Sequence, residues 1–234
     1  MDLFNKLIKS IIILINSNII FLNIDIYTEL NFYPIGREYT IQEDMLAMPK
    51  AGKQLKQKKK IIMEKAMEVF GEKGFKNATI SEIAAKAGVG DATIYEHFKN
   101  KETLLQSIPS EFTDILIDDF NHHLLGIKGA FNKLRKFVWW WLDYMEKNPG
   151  YGTITLLELK TSRNFLKTKG YQKAREFYNL LTVILQEGQD DGSIKKEINI
   201  YLARSIIIGA LEHNIIRWLL KDRKYSLLAY ADEL

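Results

Sequence analysis

Asp91, Ala92, Thr93, Tyr95, Glu96 and His97 are polar or small side chains placed within one short stretch, and a lysine-bearing segment, Lys99 to Lys101, comes directly after them. Such a surface suits contact with base edges and phosphates in a DNA major groove better than burial in a core. The surrounding residues, TISEIAAKAGVGDATIYEHF from Thr79 to Phe98, contain what is needed to hold that surface in place. Thr79 can cap a first helix, and Glu82 three residues later can return a bond to the cap's own N–H, forming a capping box. Ile80, Ile83, Ala84 and Ala87 make the inward stripe of that helix. Gly88 suits the left-handed residue that ends it, and Gly90 or Asp91 can begin the next. Ile94 and Phe98, four apart, anchor this second helix from its buried side. The pattern is a DNA-reading helix-turn-helix.

Other chemistry finds little support. The chain has no cysteine, which excludes thiol catalysis, structural disulfides and cysteine-bound zinc. No nucleophile-elbow serine, glycine-rich phosphate loop or HExxH motif is present. The expectation is therefore a protein that is not an enzyme, with no catalytic residues, no metal and no cofactor. Asp118-Asp119 with His122-His123 places each acid four residues before a histidine, so a helix could present them as metal-binding pairs or as a polar surface stripe. His213 lies on an otherwise apolar stretch, as a ligand contact or an interface histidine. A helical enzyme or metal-binding protein is the remote alternative.

Positive charge concentrates around the helix-turn-helix. Residues 48–103 carry 12 lysines against 7 acids, whereas the first 47 residues are net negative. Lys50, Lys53, Lys56, Lys58, Lys59 and Lys60 form a basic arm ahead of the first helix, either reaching phosphates or the minor groove or serving as a solvated leader. Ile8 to Ile26 is apolar and comes after Lys6, with Lys9 at its start, yet Asn16, Ser17, Asn18, Asn23 and Asp25 interrupt it. Acting as a signal or anchor, it would send the rest of the chain out of the cell and away from DNA. No membrane role is expected. Residues 1–47 read as outside the native folded protein, a mis-assigned start or disordered leader, with translation beginning at Met48 or Met45.

Helical patterning continues to the end without a convincing strand. A linking helix is expected from Glu102 to about His123, broken or kinked at Pro109. Others are expected over Lys128 to Lys147, Thr153 to Lys160, Tyr171 to Gln189 and Ile200 to Lys221, with a last one beginning at Lys224. The fold expected is all-α: a three-helix head on a larger helical bundle. The head with its arm occupies 48–103, and 104–234 forms the ligand-binding and dimerisation domain. The nearly half-hydrophobic composition is enough for one or two cores.

The amino-terminal part resembles the tetracycline-repressor (TetR) family of bacterial regulators. The resemblance is carried by the first helix (Ile61 to Gly71), Gly74-Phe75, Thr79, Ile83-Ala84, Ala87-Gly88-Val89, Thr93-Ile94-Tyr95, His97-Phe98 and Lys101-Glu102. It implies that Thr93, Tyr95 and His97 meet double-stranded DNA, the latter two chiefly on phosphates, with Lys101 at the start of the next helix and Thr79 holding a further phosphate. Gly90-Asp91 and Glu96 depart from the family pattern. Their acids either accept from cytosine N4 groups or sit at the groove edge and weaken nonspecific binding. The family also implies a cytoplasmic homodimer that binds a palindromic operator and pairs its last two helices across the dimer. The final helix stops at Leu234, sooner than the family leads one to expect.

Within the bundle, Leu157-Glu158-Leu159-Lys160, Ile184 to Gly188 with Gly192 to Lys195, Leu202-Ala203-Arg204, Gly209 to Glu212 and Arg217-Trp218 are similar to the acyl-CoA-responsive branch that represses fatty-acid degradation. That likeness implies a hydrophobic small-molecule effector, an acyl-CoA, with its chain among the helices. Phe137, Trp141, Leu156, Phe177, Leu181, Ile207 and Leu211 can line such a site, and equally an ordinary core. Lys160, with Arg163, Lys167 and Lys169, can meet the coenzyme phosphates or belong to a solvated face. Trp139, Trp140 and Trp141 are spread around a helix and cannot all face one cavity. A TetR-type repressor of multidrug efflux, responding to aromatic compounds, is the alternative.

Overall fold

The computed structural model describes residues 50–229, with side chains from Gln57 onward. Residues 1–47, the apolar Ile8 to Ile26 stretch and the end of the chain lie outside the described residues. No helix among the described residues is long and apolar enough to cross a membrane.

The head is built from α1 (Lys50–Asn77), α2 (Ile80–Ala87) and α3 (Asp91–His97). Helix α1 is far longer than the Ile61 to Gly71 expected, because lysine and glutamine are good helix formers and nothing after Gly52 breaks the arm. The basic arm is therefore helical, with Lys58 and Lys60 exposed and Lys59 ion-paired with Glu111. At Gly74 the backbone leaves helical geometry (φ 74°, ψ 162°), a conformation that favours glycine.

The body continues as α4 (Lys101–Leu124), α5 (Ala130–Lys147), α6 (Pro149–Gly152), a π-helical segment (Thr153–Leu159), a 3₁₀ turn (Phe165–Lys167), α7 (Lys169–Asp190) and α8 (Ile200–Leu220). A short helical piece at 227–229 opens the last element. Its N–H groups at Leu227 and Leu228 are capped from afar by the Glu146 carboxylate, at 2.6 and 3.2 Å.

Helix α4 runs through Pro109 without a break, contrary to expectation. Pro109 lies buried within the helix, and burial of that face from Leu104 to Phe120 offsets the one backbone bond the ring removes. The expected boundary at 103/104 falls inside this helix, so head and body share a continuous element. Asn100 starts it with a reciprocal cap to Thr103, the Asn100 Oδ1 accepting from the Thr103 N–H at 2.8 Å. Helices α4 and α7 form the most extensive pair, and α5 and α8 close the bundle over them.

Phe120, Phe137, Trp140, Trp141 and Phe177 fill the bundle's aromatic centre, with Trp141 and Phe177 ring centroids 4.6 Å apart. Of the three consecutive tryptophans, Trp139 alone faces out.

Candidate nucleic-acid interface and effector site

Thr79 begins α2 in extended geometry, and its hydroxyl accepts from the Glu82 N–H at 3.2 Å. The Glu82 carboxylate accepts from the Thr79 N–H at 3.0 Å, completing the capping box. Lys73 also bonds Glu82 and is the chief reason its carboxyl is held below the usual range. Lys86 pairs with Glu72 and Glu68 of α1, so the first two helices are stitched along their outer edge.

Gly88 adopts the left-handed conformation (φ 67°, ψ 32°), and Val89 N–H reaches back to the Ala84 carbonyl at 3.0 Å. Gly90 then caps α3, which Ile94 and Phe98 hold from below, both buried. On the outer side, Asp91, Ala92, Tyr95 and Glu96 are exposed.

Thr93 and His97 are half-buried rather than fully outward, because positions four apart share the flank bordering the buried seam. The His97 ring lies against Phe98, and its Nε2 is enclosed without a hydrogen-bond partner among the described residues. Asp91 is tied to α2 by the Ser81 hydroxyl, which donates to its carboxylate. Of the two acids that depart from the family pattern, Glu96 is thus the one on the middle of the exposed face.

Lys101, half-buried at the start of α4, is bonded back onto the end of the first helix. Its ammonium donates to the carbonyls of Phe75 and Ala78, each at 2.7 Å, and lies 4.5 Å from the Phe75 ring centroid. The reason is local: the interruption and end of α1 present carbonyls that helical bonding does not use, and a cation there is favourable.

In the bundle, Phe137, Trp141, Leu156, Phe177, Leu181 and Leu211 are all buried in one core cluster, and Ile207 is half-buried against it. Lys160 is paired with the buried carboxylate of Glu212 on α8. The Tyr178 hydroxyl donates to the other Glu212 oxygen at 2.9 Å, and burial pushes that phenol up to about 12, so it remains a donor at neutral pH. Burial likewise pushes Tyr151 up and Lys160 down. Nothing in the local sequence around Glu212 singled it out as this polar centre; its only signal was a charge on an apolar helix.

Arg163, Lys167 and Lys169 are exposed around the same end of the chain segment. Asp119 accepts from the Trp140 indole N–H at 2.6 Å, and the His123 ring meets the Asp119 carbonyl at 2.8 Å. Among the described residues no group of three histidine or acidic side chains gathers as a metal site would need. His213 is exposed on α8.

A capped helix-turn-helix on an all-α bundle is the architecture of a one-component regulator. Residues 62–108 match the pattern of bacterial regulatory proteins of the tetR family, and residues 110–234 match that of the YsiA-like protein C-terminal region; the chain belongs to the tetR family of transcriptional regulators. It is 32% identical over 182 residues to the fatty acid metabolism regulator protein of Bacillus subtilis, covering 78% of this chain and 94% of that protein. Among solved structures, FadR from Bacillus subtilis in complex with stearoyl-CoA shares 32% identity at a TM-score of 0.68, covering 74% of this chain and 94% of that one. The fatty acid degradation regulator FadR from Bacillus halodurans gives 32% and 0.69, covering 75% and 91%.

Proposed function

We propose that this chain is a cytoplasmic, homodimeric repressor of fatty-acid metabolism genes, released from a palindromic operator by long-chain acyl-CoA. The observation that carries the reading is the likeness to FadR crystallised with stearoyl-CoA, which extends through the bundle as well as the head. The apolar cluster of Phe137, Trp141, Phe177 and Leu181 supplies walls of the right chemistry for an acyl chain. Lys160, at the outer edge of that cluster, supplies a cation for the acidic head of the ligand, and the Lys160 to Glu212 pair is what such a group would compete with.

Thr79, Asp91, Ala92, Thr93, Tyr95, Glu96 and His97 face the duplex in this reading, while Lys101 acts on DNA by holding the head together. Two heads related by a dimer axis place their α3 helices about one DNA turn apart, roughly 34–36 Å. Acyl-CoA that prefers a bundle shape with another head spacing must lower operator affinity by its differential affinity for the two shapes.

The test is to titrate stearoyl-CoA into a complex of the full chain with a duplex it has selected from a randomised pool. Release at micromolar ligand, with coenzyme A alone ineffective, is the expected result. Release by an aromatic dye but not by stearoyl-CoA replaces the reading with a regulator of multidrug efflux.

A further inference from the structure

The π-helical segment Thr153–Leu159 packs on α1 of the head, bonds it through one side chain, and leads directly into the bundle's polar centre. Glu158 Oε1 accepts from the Phe75 N–H at 3.2 Å, across 83 positions of sequence. Two residues later, Lys160 pairs with Glu212. Phe75 is also held from its other side, since its carbonyl accepts from Lys101 at 2.7 Å and its ring lies under the same ammonium. Gly74 makes the arrangement possible: with ψ at 162° instead of the helical value, the next peptide is turned away from helical orientation and offers its N–H to the body.

We infer that Glu158 is the positioning residue through which the bundle sets the orientation of the DNA-reading head. A carboxylate accepting from a partly buried N–H is a charge-assisted bond, stronger than a neutral one. It is a directional tie on a surface where α1 also packs against α6 and the π-helical segment, so losing it loosens the orientation of the head without unpacking either core. A pair of heads held less firmly must be oriented by the operator, which costs affinity. A shift of the π-helical segment in response to a change at Lys160 reaches the end of α1 and the start of α4 through Glu158, Phe75 and Lys101. This coupling rests on the tetR-type reading for DNA, but its test does not require that the effector be an acyl-CoA.

The experiment compares the full chain with Glu158→Ala and Glu158→Gln, reading affinity for the selected duplex, stearoyl-CoA binding and melting temperature. Glu158→Ala is expected to weaken duplex binding about tenfold while leaving ligand binding and melting within error. Glu158→Gln keeps an oxygen that accepts from Phe75 and is expected to stay within about threefold of the parent. Duplex affinity in Glu158→Ala within twofold of the parent overturns the inference, as does an equal loss in both variants. Should stearoyl-CoA neither bind nor release the parent, the acyl-CoA reading fails while the duplex affinities still decide the role of Glu158.

Discussion

Alanine in place of Gly150 is expected to lower the melting temperature by roughly 5–10 °C and to weaken operator binding by tenfold to a hundredfold. A Cβ built on Gly150 would lie 2.2 Å from the Met67 carbonyl oxygen and 2.8 Å from its carbon. One built on Gly71 would come within 2.6 Å of the Gly150 Cα. Both obstacles are backbone, so no side-chain rotation relieves them. Helices α1 and α6 would have to move apart by about an ångström, at the cost of about 1–3 kcal/mol that overpacking brings. Alanine is a better helix former than glycine, so a loss of stability is attributable to the contact and not to propensity. The functional loss arises because α6 leads straight into the π-helical segment that carries Glu158. Circular dichroism melting and duplex titration of Gly150→Ala and Gly71→Ala check the expectation, and parent-like values in both would remove this contact as the seat of the head.

Trp140→Ala is expected to cost about 3–5 kcal/mol, a melting shift near 10 °C, whereas Trp139→Ala is expected to cost less than about 1 kcal/mol. Trp140 is 2% exposed, touches Phe120 at a centroid distance of 5.0 Å, and gives its indole N–H to Asp119. Its removal leaves a cavity among rings that cannot all close it, and an aspartate without its donor. Trp139 is 37% exposed, with the Lys136 ammonium 4.8 Å from its ring centroid, a contact whose loss is small in water. Denaturant unfolding of the two variants measures the difference. Equal effects would contradict the assignment of Trp140 to the core.

The parts of the head that local rules govern were legible in the sequence. Thr79 and Glu82 form their box, Gly88 takes its left-handed turn, and Ile94 and Phe98 are buried, because each depends on neighbours within a few residues. Partners far along the chain were not legible. Lys101 reads as a lysine beside a recognition helix, and only the fold brings the Phe75 and Ala78 carbonyls to it. Glu158 and Glu146 look like ordinary surface acids until their partners at Phe75 and at Leu227 arrive. Pro109 reads as a breaker because intrinsic propensity is all that the sequence offers there, while burial decides its place in α4. In the bundle, Phe137 and Phe177 carry the same pattern whether they wall a ligand site or fill a core, since apolar contact is the requirement of both.

Effector control of DNA binding is tested most directly by the separation of the two heads in the proposed dimer. The chain lacks cysteine, so Lys76→Cys, an exposed position at the end of α1, takes a single nitroxide per subunit. Pulsed dipolar spectroscopy of the full chain, with and without saturating stearoyl-CoA, reports the distance between labels. One distribution is expected in the ligand-free and operator-bound protein, and a second, shifted by several ångströms, with stearoyl-CoA bound. Bound stearoyl-CoA with an unchanged distance distribution would contradict effector control.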